Sequence, residues 1–269
     1  MIRLIMAVIA IVLYLILTIP VLWILKVRER KNPEAANWRS FYMVRWIFRL
    51  ISRLAGIRYE VRGLENIPSD RAVLYVGNHR SYFDIVMGYI TVPGLTGFIA
   101  KKEMAKIPLL NRWMDRMNCL FLDRSNIKEG LKTILTGIEK IKGGISMWIF
   151  PEGTRGASED PKELLEFHEG SLKIAEKSGC PVIPVAMVGT AEVLERHFPW
   201  IRPSHVIIQY GKPIYIKELS EKDRKFPGAY TRQVISSWWR NWRDRDEGTE
   251  SAEHPSAAGC DGCPADGAV

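Results

Sequence analysis

Residues 72–90 read AVLYVGNHRSYFDIVMGYI, an apolar run closed by Gly77 and followed at once by a helix-like segment starting near Ser81. A short run rich in Val, Leu and Tyr has the signature of a buried strand. The turn between strand and helix carries His79, one of five histidines in the chain, and Asp84 falls in the first helical turn. At the carboxyl end of a strand, a histidine stands where α/β folds open their binding crevices. An aspartate one turn on can reach back to one ring nitrogen, fix the tautomer and leave the other nitrogen as a free base. His79 and Asp84 are therefore candidate catalytic residues. A helix cap beside an exposed histidine is the plain alternative.

The rest of the chain extends the pattern. Strands are predicted at residues 72–77, 96–100, 119–122, 145–150, 182–188 and 205–210. Between them, residues 126–142 place Ile127, Leu131, Ile134, Leu135, Ile138 and Ile141 on one helical face, with Ser125 as N-cap. Further helices are predicted at 169–177, ending at Gly179, and at 229–242. Strands separated by helices imply an α/β fold, a central mostly parallel sheet flanked by helices, over residues 58–245.

The ends read differently. Residues 4–25 are uncharged for 22 positions, which at about 1.5 Å per residue matches the roughly 30 Å of a bilayer core. The run is too long for a signal peptide and lacks a small-residue cleavage site. Lys26, Arg28, Arg30 and Lys31 follow it, and only Arg3 precedes it, so the remainder is expected on the cytoplasmic side of a membrane; the chain's compactness and anchor fit a bacterial inner membrane better than an organelle. Residues 38–54 form a basic amphipathic helix, with Arg45, Arg49, Ser52 and Arg53 on one stripe and Met43, Trp46, Ile47, Leu50, Ile51 and Leu54 opposite. Such a helix suits the membrane interface, and packing on the soluble domain with its arginines in water is the alternative. Residues 1–57 are thus expected to form a membrane anchor and an interfacial helix.

The formal charge is +8; from Asp246 onward there are six acidic residues and no Lys or Arg, so residues 1–245 carry +14. A basic body selects anionic partners, and with no groove-reading motif present, nucleic acid is set aside in favour of lipid. Residues 246–269, without aromatics or periodicity, are expected to be a disordered acidic tail. Cys119 and Cys180 are expected as reduced core thiols, and Cys260 and Cys263 lack the second ligand pair that zinc requires.

Strands of a parallel sheet share one exit edge. His79 after the first apolar run, Lys101 after GFIA, Arg124 after FLDR and Arg155 within FPEGTR are thereby expected to converge. Guanidinium forks suit phosphate, and Gly153 permits close backbone approach. Singly, each arginine reads as a surface group or an ion-pair partner of Asp123 or Glu152.

Four ordered blocks make a further point. NHRSYFD (78–84) resembles an N-H-x4-D motif, NCLFLDR (118–124) a block ending Phe-x-Asp-Arg, FPEGTR (150–155) a Glu-Gly-Thr-Arg block and PVIPVAM (181–187) a proline-bearing strand. Over residues 59–214 the chain resembles the membrane glycerolipid acyltransferases, the 1-acyl-glycerol-3-phosphate acyltransferase family. The resemblance implies transfer of a fatty acyl group from acyl-CoA or acyl carrier protein to the second hydroxyl of lysophosphatidate, without metal or other cofactor. It casts His79 as base and Asp84 as its orienting partner. Glu152, Gly153, Thr154 and Arg155 would shape the acceptor site, with Arg155, Arg124 and Lys101 near its phosphate; Lys102 competes with Lys101 by spacing. Pro184 would shape the strand. Two departures touch the acceptor side: Asn118 stands where the family has Gly, and Gly156 where it commonly has Ser.

Ser81 offers a rival covalent route, but no G-x-S-x-G elbow surrounds it, and a helix cap or a substrate contact fits better. Other readings are the same chemistry on glycerol 3-phosphate or another lysolipid, a silent lipid-binding module, and a metal hydrolase using His79 and Asp84.

Overall fold

The computed structural model describes residues 1–156 and 164–250, with side chains as far as Trp238. In chain order the elements are α1 (Ile2–Leu17), α2 (Ile19–Glu29), α3 (Pro33–Ala55), β1 (Arg58–Arg62), β2 (Leu74–Gly77), α4 (Phe83–Thr91), β3 (Thr96–Lys101), α5 (Leu110–Arg116), β4 (Leu120–Leu122), α6 (Ile127–Lys142), β5 (Ser146–Ile149), α7 (Lys173–Ser178), β6 (Val182–Val188), β7 (His205–Tyr210), α8 (Glu221–Lys225) and α9 (Pro227–Glu250).

The strands form one sheet in the order β1-β7-β6-β2-β5-β3-β4. From β6 to β4 every neighbour is parallel; β7 runs antiparallel to β6, and β1 runs with β7. The exits of β6, β2, β5, β3 and β4 therefore share one edge. Alternate residues face opposite layers, as the pleat requires. Val73, Tyr75, Trp148, Ile183 and Val185 join the layer containing α3 and α4, and Leu74, Val76, Met147, Ile149 and Val182 join the layer containing α6, α7 and α9. Burial on both faces explains why these strands read as near-continuous apolar runs. The strand expected at 182–188 and the one at 205–210 fall at those residues.

Three expectations need correction, two of them at the amino end. The uncharged run 4–25 is not one helix, because it breaks at Thr18 into α1 and α2, bent by 50°. Pro20 lies in the first turn of α2, where its missing N–H costs nothing. Thr18 is pinned from both sides, its hydroxyl donating to Tyr14 O at 2.6 Å and accepting Trp113 Nε1–H at 3.0 Å. No single helix among the described residues is long and apolar enough to cross a membrane.

The second correction concerns α3. It is longer than predicted, with Asn32 as N-cap and Gly56 in the left-handed conformation (φ 78°) as its stop. Phe41, Val44, Ile47 and Ile51 pack on the domain. Arg45 does not face lipid or water freely: its guanidinium donates to Ile90 O and Val92 O, the orphan carbonyls at the end of α4. Cation placement at a helix C-terminus supplies the reason. Arg39, Arg49 and Arg53 remain exposed.

The third is the cap of α6, where Asn126, not Ser125, accepts the Lys128 and Glu129 amides; Ser125 is held by Asp123. The segment predicted at 169–177 is a 3-10 turn (Glu169–Leu172) followed by α7, closed by Gly179 at φ 75°. At the other end α9 runs past residue 245 to Glu250. The rest of the expected acidic tail, with Cys260 and Cys263, lies outside the described residues. Cys119 and Cys180 are free, buried thiols.

Candidate active site

The turn after β2 holds the histidine and aspartate together. His79 Nδ1 lies 2.8 Å from Asp84 Oδ2. Asp84 is fully buried, and the same oxygen accepts the Arg80 amide at 2.7 Å and the Ser81 amide at 2.8 Å. Two backbone donors at the start of α4 thus fix a carboxylate that in turn fixes the ring. Phe150 stacks on the imidazole, centroids 4.2 Å apart and planes 12° apart, so the ring cannot swing toward β5. With Nδ1 committed, Nε2 is the nitrogen left for chemistry.

The exit of β5 supports the same turn from beside it. Glu152 is buried; its Oε1 accepts the His79 amide at 2.7 Å and its Oε2 the Leu165 amide at 3.0 Å, with Arg80 Nη1 3.8 Å away. Burial pushes the Glu152 carboxyl above its ordinary range, against the pull of these donors and of Arg80. Gly156 N donates to His79 O at 2.9 Å. Asn78 closes the third side, exchanging hydrogen bonds with Met187 O (2.9 Å) and Met187 N (2.8 Å) on β6.

Cations gather at the rim. Arg124 donates through Nη1 to Gly153 O, and a Cβ at Gly153, whose φ is 75°, would lie 2.2 Å from that nitrogen. Only glycine meets both demands. Arg155 lies over the Tyr82 ring at 4.0 Å and pairs with Glu195 Oε1 at 3.1 Å. Glu195 Oε1 also accepts the Tyr82 amide at 2.8 Å. The geometry is that of a buried carboxylate–imidazole pair beside arginines at one sheet edge.

Comparison with known proteins gives the family. An acyltransferase family model matches residues 58–188. The 1-acyl-sn-glycerol-3-phosphate acyltransferase of Borreliella burgdorferi is 30% identical over 196 residues, 73% of this chain and 77% of that protein. The chain belongs to the 1-acyl-sn-glycerol-3-phosphate acyltransferase family. The enzyme of that name from Pseudomonas aeruginosa is 34% identical over 170 residues, 61% of this chain and 60% of that protein. The crystal structure of the 1-acyl-sn-glycerophosphate acyltransferase of Thermotoga maritima superposes with a TM-score of 0.69 at 28% identity, covering 90% of this chain and 98% of that one.

Within this acyltransferase, the predicted residues divide by position. His79 contacts Asp84 and Glu152, Arg124 contacts Gly153, which follows Glu152 in the chain, and Arg155 contacts Tyr82, two residues before Asp84. Glu152 serves beneath the turn, its carboxylate spent on backbone amides. Thr154 is exposed on the loop. Lys101 ends β3, exposed and without an ion-pair partner among the described residues, whereas Lys102 is bound to Asp123 at 2.6 Å. The Lys102 ammonium, with help from Ser125, pulls the Asp123 carboxyl down to about 2. Ser81 is buried, and its hydroxyl accepts the Phe83 amide at 3.0 Å in the turn that leads into α4, whose N-cap is Tyr82. Pro184 sits inside β6 beside Val76, its carbonyl accepting the Gly211 amide.

Both departures from the family pattern have local causes. Asn118 has φ 57°, a conformation asparagine tolerates next after glycine. It also lies at the start of β4, the far end from Arg124. Gly156 makes room for Arg80, since a Cβ there would stand 1.5 Å from Arg80 Nη1. The sequence motifs assign no role to Glu195, Tyr82, Arg80 or Phe150. Glu195 opens a 3-10 turn (Glu195–His197) without any motif, and only tertiary folding brings it to Arg155.

Proposed function

We propose that the protein moves a fatty acyl group from an acyl thioester, acyl-CoA or acyl carrier protein, to the sn-2 hydroxyl of lysophosphatidate, giving phosphatidate. The observation that carries this reading is the His79 Nδ1–Asp84 Oδ2 contact of 2.8 Å with Asp84 fully buried, set at the same edge as Arg124 and Arg155. His79 Nε2 takes the acceptor's hydroxyl proton as its oxygen bonds to the thioester carbonyl carbon. The carbon–sulfur bond then breaks, and the imidazolium returns its proton to the departing thiolate. Asp84 stabilises the imidazolium formed on the way. Arg155, Arg124 and Lys101 hold the phosphate, Arg155 exchanging Glu195 for the headgroup.

The exposed apolar residues of α1 and α2, among them Ile5, Ile9, Leu13 and Trp23, suit contact with a bilayer, where lysolipid and product reside. The basic flank from Lys26 to Lys31 favours the cytoplasmic face, where soluble acyl thioesters are found. The reading is tested with purified protein in detergent, labelled acyl thioesters and a panel of lysolipids, followed by product chromatography. Preference for a phosphomonoester acceptor is the expected result; indifference to headgroup would remove the arginines from acceptor binding.

A further inference from the structure

The segment between β6 and β7 carries two bare aromatic rings, Phe198 at 73% and Trp200 at 52% exposure. Rings of this size in water mark a contact surface. Their support is folded, not slack. Arg202 N donates to Val193 O at 3.0 Å, Trp200 N to His197 O at 2.7 Å and Arg196 N to Ala191 O at 3.1 Å, while Val193 and Ile201 are buried. Arg202 is exposed beside the rings, and Arg196 is paired with Glu192.

Two sets of contacts place this segment. On one side, Pro203 stands 3.3 Å from where a side chain at Gly56 would begin, and Arg3, in the first turn of α1, donates to Ala55 O at 3.0 Å. The end of the loop and Arg3 thus both lie against Gly56, and Arg3 opens the helix whose Ile2, Ile5 and Ile9 are exposed. On the other side, Glu195 at the start of the segment holds Tyr82 and Arg155. Along the chain the aromatic pair falls between Glu195, at the rim of the site, and Pro203, beside Gly56.

The geometry points to a membrane-contacting element at residues 196–202. Phe198 and Trp200 enter the interfacial layer of a bilayer, and Arg196 and Arg202 meet anionic headgroups, at the doorway of the site. Aromatic rings and long cationic side chains are the groups that favour this layer. The approach of Pro203 and Arg3 to the same glycine, with the exposed apolar side chains of α1 following Arg3, selects lipid over a protein partner. The purpose of the element, delivery of a bilayer-resident acceptor, rests on the acyltransferase reading; its contact with lipid does not.

The test uses the full chain with vesicles of phosphatidylcholine alone or mixed with phosphatidylglycerol. Brominated phospholipids are expected to quench a share of tryptophan emission in the wild type that is missing in Trp200→Phe. The Phe198→Ser/Trp200→Ser double variant is expected to show a KM for vesicle-embedded lysophosphatidate raised on the order of tenfold. Its kcat/KM on a short-chain, monomerically dispersed lysophosphatidate should be unchanged, which excludes misfolding. Arg202→Gln should weaken binding to the phosphatidylglycerol vesicles only. Equal quenching in wild type and Trp200→Phe, or equal vesicle KM in the double variant, would overturn the proposal. So would loss of self-association or of a protein partner in the double variant with vesicle kinetics untouched, which would make the patch a protein interface. If wild-type protein acylates neither form of acceptor, the functional reading fails, and the quenching comparison still decides this one.

Discussion

Asp84→Asn isolates the charge of the carboxylate with little change of shape. In the wild type, Oδ2 receives His79 Nδ1 at 2.8 Å, Arg80 N at 2.7 Å and Ser81 N at 2.8 Å. An asparagine oxygen in the same place keeps all three acceptor contacts, so the turn and the ring orientation survive. What disappears is the anion facing the imidazolium. Two unit charges about 4 Å apart interact by roughly 4 kcal/mol at an effective dielectric of about 20. That energy is realised only when the ring is charged, so it lowers the barrier and leaves the ground state alone. The variant should lose on the order of 10³ in kcat, with an equal loss in kcat/KM and little change in acceptor KM. The assay is steady-state acyl transfer in detergent with acceptor and thioester varied separately, alongside thermal melting. Retention of more than about a tenth of wild-type kcat in a folded variant would refute the reasoning, as would a loss carried by KM.

Other substitutions address separate parts of the site. Arg155→Lys keeps the charge but loses the fork that lies over Tyr82 and meets Glu195, and should raise KM for a phosphomonoester acceptor about tenfold while kcat holds; an unchanged KM would place the phosphate elsewhere. Glu152→Gln turns an amide NH2 toward the Leu165 N–H and should cost roughly 1–3 kcal/mol in urea unfolding. Because burial raises the Glu152 pKa in the folded state, its contribution to stability is present below the ordinary carboxylate range and is lost as pH rises through the raised value. The Gln variant should therefore flatten that part of the stability–pH curve, and a steeper decline would contradict the sign. Gly156→Ala puts a methyl where Arg80 Nη1 lies, 1.5 Å from the ideal Cβ, and should destabilise by about 3 kcal/mol through separation of Arg80 from Glu152; a neutral midpoint shift would show that Arg80 has room to move.

The chain disclosed its central layer better than its edges. Strands β6 and β2 lie between neighbours and are buried on both faces, so their apolar runs were readable without any knowledge of partners. Strand β1, RYEVR, pairs among the described residues only with β7 and keeps Arg58, Tyr59 and Glu60 exposed, so hydrophobic pattern does not mark it. The bend at Thr18 depends on Trp113, which lies 95 residues away; composition alone shows a continuous apolar run. Arg45 reads as part of a basic stripe, yet the carbonyls ending α4 claim it. His79, Asp84 and Gly153 were legible because a local turn imposes their spacing. Glu195 and Phe150 were not, since their roles arise from contacts between strand exits.

The central claim is that His79 removes a proton from the acceptor hydroxyl, and the most direct measurement is labelled acyl transfer to lysophosphatidate by purified His79→Ala beside the wild type. The account predicts a fall in kcat of about 10² to 10⁴, with melting temperature and vesicle binding retained. A folded, vesicle-bound variant that keeps wild-type turnover would contradict it.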